Sequence, residues 1–192
     1  MALAVALAVS GCGGGDDEDA AAPIPTPPAD APATSEAPPE TPELPRNERG
    51  NVVRQLGEEI VLVPAADPAA PPPVTFTVQE IAVDPACDTE DPPVSGHYVV
   101  LRMSVSASPD YDPRVVAGLS EDDFTVLGPD GAAVEIDDSN KFACKKPEET
   151  VSNMRFPPGA IYTGWIVLDV PVSSGTLVYE VGGSAAGSEW QF

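Results

Sequence analysis

Residues 98–107 alternate with a period of two: Val99, Leu101, Met103 and Val105 fall on one parity, and Arg102, Ser104 and Ser106 on the other. Successive strand side chains point to opposite faces, so this spacing describes an extended strand with one buried face. The same grammar recurs along the chain. Residues 59–63 and 74–83 read as strands, the second with Val74, Phe76 and Val78 on one parity and Ile81 and Val83 on the other. That parity switch near Gln79 and Glu80 predicts a β-bulge. Residues 124–127, the turn Gly128-Pro129-Asp130-Gly131 and residues 132–136 read as a hairpin. Further strands are expected at 150–156, 161–170, 177–181 and 188–192. The irregular stretch 108–120 runs into Ser120-Glu121-Asp122-Asp123, which reads as a single helical turn. No segment carries a helical period. Seven or eight short strands separated by Gly, Pro and Asp predict an antiparallel β-sandwich.

Ahead of these strands the composition changes. Nine prolines lie between Pro23 and Pro45, among Ala, Thr, Asp and Glu and with no aromatic residue. Such a stretch buries too little apolar surface to offset the entropy of ordering, so residues 13–50 are expected to be a disordered linker. At about 3.1 Å per residue of polyproline-like chain it would span roughly 100 Å. Before the linker stands a short apolar run, Met1 to Val9, then Ser10, Gly11 and Cys12, and Cys12 is followed from Gly13 by glycines and acids. This resembles a bacterial lipobox, in which the cysteine is acylated and becomes the mature N-terminus. The apolar core is short and has no basic residue before it, so the signal is expected to begin upstream of Met1. The competing reading is a frayed apolar end with an incidental cysteine. The partition is then a signal peptide at 1–11, a lipidated Cys12 with its linker at 12–50, and a folded domain at 51–192.

Charge narrows the partners. Lys and Arg number 9 against 31 Asp and Glu, a net charge of −22. Nucleic acid needs basic patches, and the one basic pair is Lys145-Lys146. The same charge disfavours direct adhesion to anionic lipid, so membrane attachment would rest on acyl chains at Cys12. Apart from Cys12, the cysteines are Cys87 and Cys144. In an exported domain their simplest state is one disulfide, the alternative being two buried thiols. Redox or zinc chemistry is disfavoured, with no Cys-x-x-Cys pair and one histidine.

Three segments stand together in order: Gly96-His97-Tyr98-Val99-Val100, then Asp123-Phe124-Thr125-Val126 with its Pro-Asp-Gly turn, then Phe156-Pro157-Pro158-Gly159-Ala160 running through Trp165 to Val170-Pro171. They resemble an immunoglobulin-like domain of unknown function carried by Gram-positive lipoproteins, a family similar to the secreted mycobacterial immunoprotective antigen. The resemblance covers roughly residues 55–192. It implies an immunoglobulin-like sandwich and an extracytoplasmic location, and no assigned activity. One departure is Ser108-Pro109-Asp110-Tyr111-Asp112-Pro113, which stands where the family has an Asn-rich turn.

Residues able to carry chemistry are sparse. His97 is the one histidine, and no Gly-x-Ser-x-Gly elbow is present. A histidine at the mouth of a strand is more often a polar edge residue than a base. Acidic loops containing Asp84, Asp88, Glu90 and Asp91, then Asp110 and Asp112, then 121–123, would bind calcium if they converged at one end of the sandwich; the bland reading is a solvated acidic surface. Met103, Met154 and His97 are soft ligands for copper, against which Met103 lies on the presumed core face. Trp165 and Tyr162 have opposite parity on one strand, so one ring faces outward. Trp165 is the candidate contact for a partner or glycan, unless it packs under a neighbouring loop.

The function expected from these residues is non-catalytic, with no cofactor. The chain reads as a lipid-anchored protein on the extracytoplasmic face, displaying a binding domain toward an envelope or extracellular protein or polymer. The alternatives are a calcium- or copper-binding lipoprotein and an envelope enzyme.

Overall fold

The computed structural model describes residues 44–114, 118–140, 142–152, 154–180 and 187–192. Cys12, the signal segment and residues 13–43 of the linker lie outside the described residues. Within the unit Pro42–Phe192 the strands are β1 (Val52–Val53), β2 (Glu59–Val63), β3 (Val74–Val83), β4 (His97–Ala107), β5 (Phe124–Leu127), β6 (Ala133–Val134), β7 (Ile161–Val170), β8 (Thr176–Tyr179) and β9 (Ser188–Gln191). One sheet runs β2-β3-β4-β7 and the other β1-β9-β8-β5-β6. The expected sandwich is present, with nine described strands in place of seven or eight. Its pairs are antiparallel except β1 with β9.

The core lies between the sheets. Val74, Phe76 and Val78 of β3, Val99, Leu101, Met103 and Val105 of β4, and Ile166 and Leu168 of β7 meet Phe124, Val126, Leu177, Tyr179 and Trp190. Phe76 and Tyr179 make an edge contact across the layers, ring centroids 4.7 Å apart. The bulge falls where the parity switch placed it: the β3–β4 register shifts between Val78 and Glu80. The extra residue brings Ile81 and Val83 onto the core side, where they pack against it. Glu121–Asp123 forms the expected single turn, of 3-10 type, with Asp123 Oδ2 accepting the Ser120 backbone N–H at 2.7 Å.

About half of β4 and half of β7 are buried on both faces. In β4, Tyr98 through Leu101 are all buried, whereas from Arg102 onward the pattern alternates. In β7 the order reverses, with Ile166 to Val170 buried throughout. Because the two strands run antiparallel, these halves lie side by side, and a layer of loops covers their outer face.

Two expectations are corrected. The described residues of 150–156 form no strand. The chain enters this region through the 3-10 turn Pro147–Glu149, meets β7 where Thr150 bridges Trp165 and the Val151 N–H donates to the Trp165 carbonyl at 3.0 Å, and bridges Leu119 through Ser152. It lies so close on β7 that a Cβ on Gly164 would stand 2.5 Å from the Glu149 carbonyl oxygen, so packing rather than ladder pairing holds it. The hairpin arm expected at 132–136 is likewise shortened to Ala133–Val134.

Residues 46–50 belong to the linker by composition but are bound to the sandwich: Arg46 bridges Val52, and Asn47 and Asn51 exchange hydrogen bonds. From there β1 enters parallel to β9. Composition misses this strap because Arg49 and β1 meet Glu189 and β9 at the other end of the chain.

Candidate functional site

The loop layer over β4 and β7 is the most elaborate polar construction among the described residues. Cys87 and Cys144 are joined, with sulfurs 2.08 Å apart. Around the bridge, the Asp88 N–H donates to the Cys144 carbonyl at 2.7 Å and the Cys144 N–H to Thr89 Oγ1 at 3.0 Å. Beneath it, Tyr98, Val100, Ala143, Cys144 and Val167 form a second apolar cluster, separate from the intersheet core. Burial, with the charges of Asp169 and Asp91, holds the Tyr98 hydroxyl above the usual tyrosine value. It therefore stays protonated and donates to the Asp91 carbonyl at 3.1 Å.

Asp169 pins both loops to the sheet. Its carboxylate is 1% exposed and accepts the N–H groups of Val94 at 2.6 Å and Ser95 at 2.8 Å, and the Asn140 side-chain amide at 3.0 Å. Replacing it by alanine removes three hydrogen bonds to a buried carboxylate and frees both loops at once. Asp169→Ala is expected to cost about 2–3 kcal/mol in urea unfolding. An unchanged midpoint would show that the loops are held by the disulfide alone.

Trp165 belongs to this layer. It is half-buried against the disulfide cluster, with Lys145 Nζ 4.9 Å and Arg102 Cζ 5.8 Å from its ring centroid. The ring packs beneath the loop and is stacked by cations, the second of the two roles considered for it. Tyr162 takes the core side, 5.4 Å from Phe156, with its hydroxyl donating to the Pro157 carbonyl at 3.1 Å.

The acidic calcium candidates do not converge. Asp84 and Asp88 sit beside the start of β4, whereas Asp110 and Asp112 follow its far end, roughly 30 Å away along an extended strand. Asp84, Asp88 and Asp112 each have a local partner. Asp84, in the left-handed region at φ 46°, accepts the Tyr98 N–H at 3.0 Å and lies 2.7 Å from His97 Nδ1. The His97 hydrogen bond, then the Tyr98 N–H and the His97 charge, hold its carboxyl below the usual range despite some burial. Asp88 meets Lys145 Nζ at 3.4 Å. Asp112 takes Arg114 in a two-pronged pair at 2.7 Å and 2.9 Å, which brings its pKa down to about 2. Asp110 stands exposed, its backbone N–H donating to Ser108 Oγ at 3.3 Å.

The copper candidates are also apart. Met103 is buried between the sheets, Met154 is partly exposed beyond the 3-10 turn, and His97 lies roughly 20 Å along β4 from Met103. Among the described residues no three His, Cys, Asp or Glu side chains are placed to hold a metal ion. Among the described residues, the side-chain hydrogen-bond partner of His97 is Asp84, not a Ser, Thr or Cys.

Three carboxylates are at most 3% exposed: Asp169 and Glu189, which the sequence reading passed over, and Glu121, which it placed only in an acidic loop. A signal for two of them was present. Asp169 interrupts the apolar run Val167-Leu168-Val170, and Glu189 adjoins Trp190 in the last strand. A lone acid inside such a run asks for buried donors. Glu121, within an acidic run, carried none.

A solved structure similar to this chain is that of a secreted protein from Mycobacterium tuberculosis, MPT63. It is 20% identical, the alignment covers 74% of this chain and 98% of that one, and the TM-score is 0.45. No family model matches the chain, and no curated protein does. Among the described residues no helix is long and apolar enough to cross a membrane.

Proposed function

We propose that this chain is a non-catalytic, extracytoplasmic lipoprotein whose sandwich domain is displayed from the membrane on the proline-rich linker and binds a partner. The observation that carries the reading is the Cys87–Cys144 bridge over the loop layer. Disulfides persist in oxidising compartments, and the lipobox-like Val9-Ser10-Gly11-Cys12 supplies both a route out of the cytosol and an anchor. A rigid end with its polar groups hydrogen-bonded locally suits recognition of an envelope or extracellular protein or polymer.

The test is mass spectrometry of the mature N-terminus combined with in-cell cross-linking from the folded domain, in wild type and Cys12→Ala. An acylated Cys12 is expected, with a reproducible cross-linked partner that is lost when the anchor is removed. An unmodified peptide running through Cys12 would remove the anchor. A complete lack of enriched partners would remove the binding role.

A further inference from the structure

We infer that the free edge of β2 is a docking site for an extended, basic segment of a partner protein, which joins the sheet as an added strand. The inference deepens the binding role proposed above by naming the partner's chemistry and its point of attachment. A sheet edge presents main-chain N–H and C=O groups that another extended backbone can pair in series. The two sheets end in β2 and β7 and in β1 and β6. β1 and β6 are two residues each. The outer side of β7 is already engaged: the Asp137 N–H donates to the Asp169 carbonyl at 2.9 Å and the Val151 N–H to the Trp165 carbonyl at 3.0 Å. β2 differs, because its five residues pair with β3 on one side and no main-chain hydrogen bond among the described residues reaches the other.

Little protects this edge. Natural edge strands are blunted by lysine, proline or a bulge. Here the strand reads Glu-Ile-Val-Leu-Val, and its one irregularity against β3 lies between Val61 and Val63, at the end next to Pro64. Alongside, Val61 (41% exposed) and Pro64, Ala65, Pro68, Ala70 and Pro72 line a groove of about 330 Å³ with no charged side chain among them. Residues opposite each other on one face of a sheet have neighbouring side chains, so the residue set across from Val61 drops into this groove. That residue is apolar.

Charge selects what stands beside it. Residues 55–101, which include β2, β3 and the start of β4, carry eight acids and no Lys or Arg. Glu59 is exposed on the same face as Val61, and the exposed Asp67 belongs to the loop that forms the groove. A Lys or Arg two residues from the apolar side chain therefore lies against Glu59. A second copy of this chain is the weaker occupant, since it would bring Glu59 and a net charge of −22 against the same charge. A basic strand is attracted where a copy is repelled.

The experiment is an amide NMR titration of the full chain with the peptide acetyl-Lys-Thr-Val-Thr-Lys-amide, whose symmetric spacing serves either strand direction. Saturable shifts are expected at 59–63 and in the loop 65–70, with slowed hydrogen exchange at the free N–H groups of β2. Two control peptides separate the contributions: one has both lysines replaced by glutamate, and the other is N-methylated along its backbone so that it cannot donate hydrogen bonds. Neither should bind measurably. Val61→Lys, an exposed substitution, and Glu59→Gln should each weaken binding about tenfold, and raised salt should weaken it too. The inference is overturned by shifts that never saturate, by equal binding of either control peptide, or by undiminished binding in both variants. Light scattering reads the other occupant: a monomer is expected, and a dimer dispersed by Val61→Lys would give the edge to a second copy and overturn the inference. An unacylated Cys12 would overturn the display reading and leave this titration untouched.

Discussion

Replacing Cys87 and Cys144 together by serine is expected to lower stability by about 4 kcal/mol, the loop-closure value for a bridge of this span. The two residues are separated by 57 positions, so the cross-link removes much freedom from the unfolded chain. A folded-state effect is layered on this. The bridge joins the two loops that cover the outer faces of Tyr98, Val100 and Val167. In the double variant, hydrogen exchange at Asp88, Cys144 and their neighbours should quicken well before exchange in β3 and the core half of β4. Asp169 continues to hold Val94, Ser95 and Asn140, so the layer loosens without the sandwich coming apart. Urea unfolding with and without reductant measures the first effect and amide exchange the second. Equal midpoints for oxidised and reduced protein would contradict both.

Arg49→Ala is expected to cost about 2–3 kcal/mol at neutral pH. Glu189 is 1% exposed, and its carboxylate takes Arg49 Nη2 at 2.7 Å, Arg49 Nε at 3.2 Å and the Asn51 amide at 3.3 Å. Breaking a buried pair from one side usually costs about 3–5 kcal/mol, because the remaining charge stays buried. Arg49 is 46% exposed, so solvent screens part of the attraction and the expected loss is smaller. Acid reads the same contact independently. Burial pushes Glu189 up, but the hydrogen bonds from Arg49, Asn47 and Asn51 and the Arg49 charge outweigh it, and the net shift is downward from the ordinary value of 4.5. A depressed folded pKa contributes stability that is complete above the unfolded value and lost as pH falls through the folded one. Wild type should therefore lose this contribution below about pH 4.5, and the gap between wild type and Arg49→Ala should narrow there. A gap that stays constant down to pH 2 would show that the pair's charge is not what stabilises the strap.

The strand grammar was legible because it is local. The alternation in residues 98–107 and the parity switch at Gln79 report which side of a strand meets the core, and a period of two suffices to read them. Residues 150–156 misled for the opposite reason. Val151 and Phe156 are apolar and buried, yet they reach the core from an irregular segment laid over Gly164, and only the neighbouring strand determines that. The acidic loops were legible as acidic, but not as separated, because their distance is set by the length and direction of β4.

The sequence by itself determined that this chain makes a β-sandwich, that Cys87 and Cys144 are available to each other, and that proline-rich chain precedes the fold. These follow from periodicity, composition and residue chemistry, which act over a few neighbours. Only the tertiary structure decided which carboxylates are buried. Asp169 is committed to two loops, Glu189 to an arginine 140 residues away, and Glu121 keeps one oxygen unmet. The desolvation of a charge depends on every element packed around it, and no stretch of sequence contains that sum.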